Sequence, residues 1–217
     1  MSNGVGGALD QEASLCGPGV AEFAQGRVVG GVQCEGQGLV VPSRFAGEDG
    51  LLADGFGTCE WVKKGEPLCL IGDSGTGKSH LLIGLGTAAA VEGHRVRYAL
   101  AAKLVNELVE AADEKQLSKT IARYGRVDLL CIDELGYLEL DRRGVEMLFQ
   151  VLTEREEKKS VAIASNESFG GWTKTFTDPR LCAAIVDRLT FNGAIIETGT
   201  ESYRLAQTKA KQQQAKK

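Results

Sequence analysis

Long apolar runs are missing from this sequence of 217 residues. None approaches the roughly 20 residues that a bilayer-spanning helix requires. The start, Met1-Ser2-Asn3-Gly4, has neither the basic nor the apolar block of an export signal. A cytoplasmic protein with no membrane span is the expectation. Only two histidines occur, and the six cysteines (Cys16, Cys34, Cys59, Cys69, Cys131, Cys182) form no Cys-x-x-Cys pair and have no histidine at metal-ligand spacing. A zinc ribbon therefore lacks its ligands, and the scattered cysteines are expected to be reduced thiols. Cys69 and Cys131 read as small reduced core residues within strands. Lysine is absent before Lys63.

Positive charge is scarce in the first 60 residues. Up to Glu60, Arg27 and Arg44 face eight carboxylates, a local sum of −6, so the total of −4 leaves +2 on the remainder. Residues 209–217 add four lysines and no acid. The body of the chain thus has room for a basic partner surface.

Half of the 28 glycines fall in the first 60 residues, where no helical or strand period persists. This Gly-rich segment, 1–60, reads as poorly ordered or atypical. From Trp61 onward, short apolar runs alternate with amphipathic stretches. Strands are expected over 67–72, 95–100, 127–133, 161–165 and 194–197. Helices are expected over 78–92, 101–114, 117–124, 142–158 and 178–191, the last opened by Asp178-Pro179. Such alternation predicts an α/β fold, a five-stranded parallel sheet with helices on both faces. It occupies residues 61–205, with a basic flexible tail over 206–217.

The strongest chemical signal is Gly72-Asp73-Ser74-Gly75-Thr76-Gly77-Lys78-Ser79, set between an apolar strand and a helix. That context is the one a phosphate-binding loop demands. Glycines let successive backbone N–H groups turn inward toward phosphate oxygens, and the helix behind adds its positive end. Lys78 is expected at the β- and γ-phosphates of ATP and the Ser79 hydroxyl in the Mg²⁺ shell. The bare pattern also arises as a Gly-rich turn; its strand-to-helix setting favours the loop.

Leu129-Leu130-Cys131-Ile132-Asp133-Glu134 is an apolar strand ending in two acids. Unpaired carboxylates at a crevice are costly unless a cation is bound there. Asp133 fits the Mg²⁺ partner, and Glu134 the base that orients the attacking water. Three later residues are weaker signals. Asn166, after the fourth strand, either positions that water or is an ordinary turn residue. Arg188, on the late helix, either reaches the nucleotide of a neighbouring subunit or pairs at the surface with Asp187 or glutamates. Arg204 approaches the phosphates from its own subunit.

With these residues in place, the chain over about 61–205 resembles the IstB-like ATP-binding proteins of insertion sequences. These are relatives of DnaC helicase loaders and DnaA initiators within the AAA+ group of P-loop NTPases. The matching stretches include residues 72–82, Arg95-Val96-Arg97-Tyr98, Leu104-Val105-Asn106-Glu107-Leu108, Ile132-Asp133-Glu134-Leu135-Gly136-Tyr137, Ala164-Ser165-Asn166, Asp187-Arg188-Leu189 and Glu201-Ser202-Tyr203-Arg204. The resemblance implies a transposition helper, a Mg²⁺-dependent ATPase that binds duplex DNA without sequence preference. It also implies assembly into a homo-oligomeric ring or filament that directs a transposase to its target. It makes Asn166 the first sensor, Arg188 the trans-acting finger and Arg204 the second sensor.

Family members carry an aromatic-containing helical segment ahead of the core, and residues 1–56 do not match it. Our hypothesis is that this end derives from a wrong start, a frameshift or a rearranged copy. Mass spectrometry finding those residues in the native protein, with normal ATP-dependent DNA binding, would defeat it. The basic groups expected to meet DNA phosphates are Lys103, Lys119, Arg123, Arg126, Arg142, Arg143, Lys174 and the tail lysines. A DnaC-like helicase loader is the alternative function. A P-loop kinase would need an acceptor-binding lid, for which no segment stands out, and a non-enzymatic remnant would show no turnover.

Overall fold

Strand β3, Leu68–Ile71, is buried at all four positions, and its side chains divide strictly between two apolar layers. The computed structural model describes residues 58–137, 139–200 and 202, together with the backbone of two short strands, β1 (Cys34–Glu35) and β2 (Gly38–Leu39). The expected 206–217 tail, and nearly all of segment 1–60, lie outside the described residues. Strands β1 and β2 pair antiparallel.

After helix α1 (Glu60–Lys64) and β3 come α2 (Lys78–Val91), β4 (Val96–Leu100), α3 (Ala101–Asp113), α4 (Leu117–Gly125) and β5 (Leu129–Leu135). Next are α5 (Arg142–Arg155), β6 (Ser160–Ser165), α6 (Trp172–Thr175), α7 (Pro179–Thr190) and β7 (Ala194–Glu197). Five strands form one parallel sheet in the order β4-β5-β6-β3-β7. Leu68, Leu70, Leu129, Cys131, Ala162 and Ala164 point to one layer, where they meet Leu81, Leu82 and Leu85 of α2. Cys69, Ile71, Leu130, Ile132, Val161 and Ile163 point to the other, against α3, α5 and α7. The two-residue period of a strand buried on both faces produces this division. The expected α/β sheet with helices on both faces is what the chain forms.

The chain leaves β3 for β4 across two strands on one side, and leaves β6 for β7 past β3 on the other. A crevice opens at the carboxyl ends of the strands where connections diverge in this way. Register brings Ile71 opposite Ser165, and Ser165 opposite Leu135. The ends of β3, β6 and β5 therefore share one edge.

Two helices start on an aspartate whose side chain accepts from first-turn amides. Asp141 accepts from the Gly144 amide at 2.8 Å. Asp178 accepts from those of Arg180 and Leu181 at 2.9 and 3.3 Å, with Pro179 in the first turn. Helix α5 stops at Arg155, short of the expected 158, because the chain turns at Glu156 and passes through positive φ at Glu157.

Candidate active site

The glycine loop, the acid pair and Asn166 lie where β3, β5 and β6 reach the shared edge. The segment after β3 doubles back so that Gly72 N–H donates to Ser165 O at 3.3 Å and Asp73 N–H to Gly199 O at 3.1 Å. Gly75 has φ +86°, and a Cβ there would lie 2.4 Å from Ser202 Oγ, so both conformation and space require glycine. Gly77, at φ 100°, starts α2; no side chain caps that helix and no acid lies in its first turn. An anion suits such an N-terminus. Lys78, 5% exposed, folds over the loop and donates to Gly72 O at 2.7 Å and Asp73 O at 2.8 Å. Ser79 comes next on α2, half-buried.

The acid pair departs from the sequence expectation in one respect. Strand β5 does not end at Asp133 but continues through Leu135, with a register shift between Ile132 and Leu135. Glu134 takes φ 59°, and this bulge aims the two carboxylates apart: Asp133 is buried at 4% exposure while Glu134 is exposed. Asp133 Oδ1 accepts from the Glu134 amide at 2.8 Å, and Oδ2 from the Tyr98 hydroxyl at 2.6 Å. Burial first, and then the hydrogen bond to Asp133, raise the Tyr98 pKa, so the phenol stays a protonated donor.

Asn166 comes directly after β6, half-buried, between the loop of β3 and the acids of β5. Glycines and acids apart, the edge is braced by Ser165, whose hydroxyl receives Trp172 Nε1–H at 2.8 Å and the Glu167 amide at 3.1 Å.

Arg188 is not brought to this edge. It lies near the end of α7 and stacks 4.2 Å above the Phe149 ring, with Nε 3.0 Å from Glu156 Oε2. It helps line a cavity of about 270 Å³ beside Pro67 and Val161, at the starts of β3 and β6. Of the acidic partners expected for it, Asp187 or a glutamate, it is Glu156 that pairs with it. Arg204 lies outside the described residues. Tyr98, Thr198 and Ser202, all at the site, were given no role from sequence. A tyrosine two residues before a strand's end, on the face that a neighbouring acid must share, is the signal that could have found the first.

Ser79 and Asp133 are the residues fitted to Mg²⁺. A buried carboxylate already oriented by two donors, with a helix-start hydroxyl, matches an ion that takes few protein ligands and completes its shell from phosphates and water. Among the described residues no three His, Cys, Asp or Glu side chains gather to hold an ion by themselves.

Comparison with known proteins gives the family and the fold. The family model described as IstB-like ATP binding protein matches residues 46–212, starting upstream of the boundary expected near residue 56. An insertion sequence ATP-binding protein of Sinorhizobium fredii is 39% identical over 144 residues, 66% of this chain and 48% of its own. The corresponding IS5376 protein of Geobacillus stearothermophilus is 35% identical over 159 residues, 73% of this chain and 63% of its own. The IS21 protein of Pseudomonas aeruginosa is 36% identical over 145 residues, 67% of this chain and 55% of its own. The chain thus spans between about half and just under two thirds of these relatives. Among solved structures, AMPPCP-bound DnaA from Aquifex aeolicus has a TM-score of 0.56 at 25% identity, covering 71% of this chain and 49% of that one. The DnaC helicase loader has a TM-score of 0.53 at 20% identity, covering 63% and 80%, a likeness of fold. With most of its length matched by that family model, the chain belongs to the IstB-like ATP binding proteins.

Proposed function

We propose that this chain is a Mg²⁺-dependent ATP hydrolase serving a transposase, with residues 61–205 as its AAA+ ATPase unit. The observation that carries the reading is the edge shared by Gly72–Ser79, Asp133 and Glu134 in a chain whose relatives are insertion sequence ATP-binding proteins.

The amides of the loop and the first turn of α2 receive the triphosphate, and Lys78 exchanges the Gly72 and Asp73 carbonyls for phosphate oxygens. Ser79 and Asp133 would hold Mg²⁺, which, when bound, would neutralise charge developing on the phosphates. Glu134, exposed beside Asp133, orients a water and accepts its proton as the oxygen bonds to the γ-phosphorus. The bond to the β–γ bridging oxygen breaks, leaving ADP and phosphate. Asn166 lies where an amide can hold that water. Arg188 faces away from its own loop, and the reading gives it the nucleotide of a neighbouring copy in a ring or filament. Arg204 completes the phosphate contacts.

The partners proposed are duplex DNA, bound without sequence preference, the cognate transposase and further copies of the chain, in the cytoplasm. Among the described residues no helix is long and apolar enough to cross a membrane. Arg142 and Arg143 pair with Glu146 and Asp113 at 3.0 and 2.5 Å, and Arg123 pairs with Glu107. Exposed pairs of this kind are weak, so phosphates can displace the acids. Lys103, Lys119, Arg126 and Lys174 are exposed.

ATP turnover measured with and without duplex DNA tests the reading, using the wild type and Glu134→Gln. DNA-stimulated hydrolysis that disappears in the variant is expected. Phosphate transfer to a small acceptor, or no turnover in the wild type, would overturn it.

A further inference from the structure

We infer that Tyr98 is a positioning residue for the metal site, holding the Asp133 carboxylate in the orientation in which it receives Mg²⁺. This rests on the proposed ATP hydrolase function and adds a residue to that site.

Parallel pairing sets Tyr98 against Cys131 and Leu100 against Asp133. Side chains two residues apart on a strand share a face, so Tyr98 on β4 and Asp133 on β5 project to the α2 side of the sheet. The long phenol spans the diagonal, and its hydroxyl meets Asp133 Oδ2 at 2.6 Å. A carboxylate that is 4% exposed has little water to orient it. With Glu134 N–H on Oδ1 at 2.8 Å, each oxygen has one protein donor, and the plane of the group is fixed. Each oxygen keeps lone-pair capacity for a metal or its water. Removing the hydroxyl leaves the ring in the apolar layer beside α2 but frees the carboxylate to turn and deprives one buried oxygen of its donor. Loss of a partner that orients a ligand typically weakens metal affinity ~10-fold or more.

The test uses the full chain in a Glu134→Gln background, so that no hydrolysis intervenes, and fluorescent N-methylanthraniloyl-ATP as the probe. Its affinity is measured with EDTA and across a Mg²⁺ titration, for Tyr98 and for Tyr98→Phe. The expected result is unchanged affinity in EDTA, a melting temperature lowered by no more than a few degrees for the lost hydrogen bond, and a Mg²⁺ requirement raised roughly tenfold in the Phe variant. Asp133→Asn should abolish the Mg²⁺ effect, and adding Tyr98→Phe to it should change nothing more, because the tyrosine acts through the carboxylate. An identical Mg²⁺ requirement with and without the hydroxyl, or an equal loss in EDTA, would overturn the inference. If the Tyr98 protein itself gains no affinity from Mg²⁺, it is the proposed function that fails.

Discussion

The hydroxyls of Thr76 and Thr198, 122 residues apart in the chain, lie 2.6 Å from one another. Thr198 N–H also donates to Ile71 O at 2.8 Å, and Gly199 O accepts from Asp73 N–H at 3.1 Å. The stretch leaving β7 is therefore stitched along the phosphate loop, and a movement of either is transmitted to the other.

Thr198→Val keeps the volume of the side chain and removes its hydroxyl. Nucleotide affinity is expected to fall about fivefold, the value of one net hydrogen bond of ~1 kcal/mol. Calorimetric titration with an ATP analogue checks this, and unaltered affinity would mean that the stretch does not hold the loop in shape.

Arg155 should be the side chain on which the opposite edge of the sheet most depends. Fully buried, it donates to Val127 O at 3.0 Å, Asp128 O at 3.3 Å, Ser160 O at 2.5 Å and Tyr124 O. Burial pushes its pKa down to about 10, which leaves it charged at neutral pH. Arg155→Met removes a donor from each of these buried carbonyls, leaving Asp128 O only the Ser160 amide at 3.2 Å, and should cost at least ~3 kcal/mol. Urea unfolding reads this as a lower midpoint at similar slope, and a loss under ~1 kcal/mol would contradict it.

Acid should weaken the fold through Asp128. The Arg95 guanidinium, 3.1 Å from each carboxylate oxygen, and the Lys159 ammonium at 2.6 Å hold its carboxyl well below the usual carboxylate range. A depressed native pKa gives stability that is complete above the unfolded value of ~3.9 and is lost as pH falls toward the native one. Asp128→Asn is expected to be less stable than wild type at neutral pH, with the difference closing below about pH 3. Urea melts of both proteins across that range decide it, and a gap that persists in acid would contradict the assignment.

Alternation of apolar runs and helical stripes made the sheet legible, because the strands from Leu68–Ile71 to Ala194–Glu197 are short, mostly apolar runs set between longer helical stretches. That the loop and both acids lie at one edge was equally legible, since each follows an apolar run that reads as a strand of the same parallel sheet. The end of β5 was not: two acids look like a stop signal, yet a bulge at Glu134 lets Leu135 rejoin the sheet opposite Ser165. Short α1 and α6 carry too few residues to show a period; Trp172 is anchored instead by its bond to Ser165 Oγ. Tyr98 and Thr198 escaped notice for a common reason. Their partners lie on other elements, and only strand order and register reveal them.

Cys69 and Cys131 should be unreactive while the sheet is intact. Burial pushes both thiols up to about 12, leaving little thiolate at neutral pH. Iodoacetamide labelling followed by mass spectrometry is expected to modify them only after denaturant is added, and rapid labelling of the native protein would contradict their place in the core.

The most direct measurement is a crystal structure of the chain with Mg²⁺ and a non-hydrolysable ATP analogue. The account predicts the β- and γ-phosphates against the amides of Gly75 to Ser79, Lys78 Nζ moved from the Gly72 and Asp73 carbonyls onto phosphate oxygens, and Mg²⁺ between Ser79 and Asp133. A triphosphate seated elsewhere, or Lys78 still bound to its own loop with nucleotide present, would contradict it.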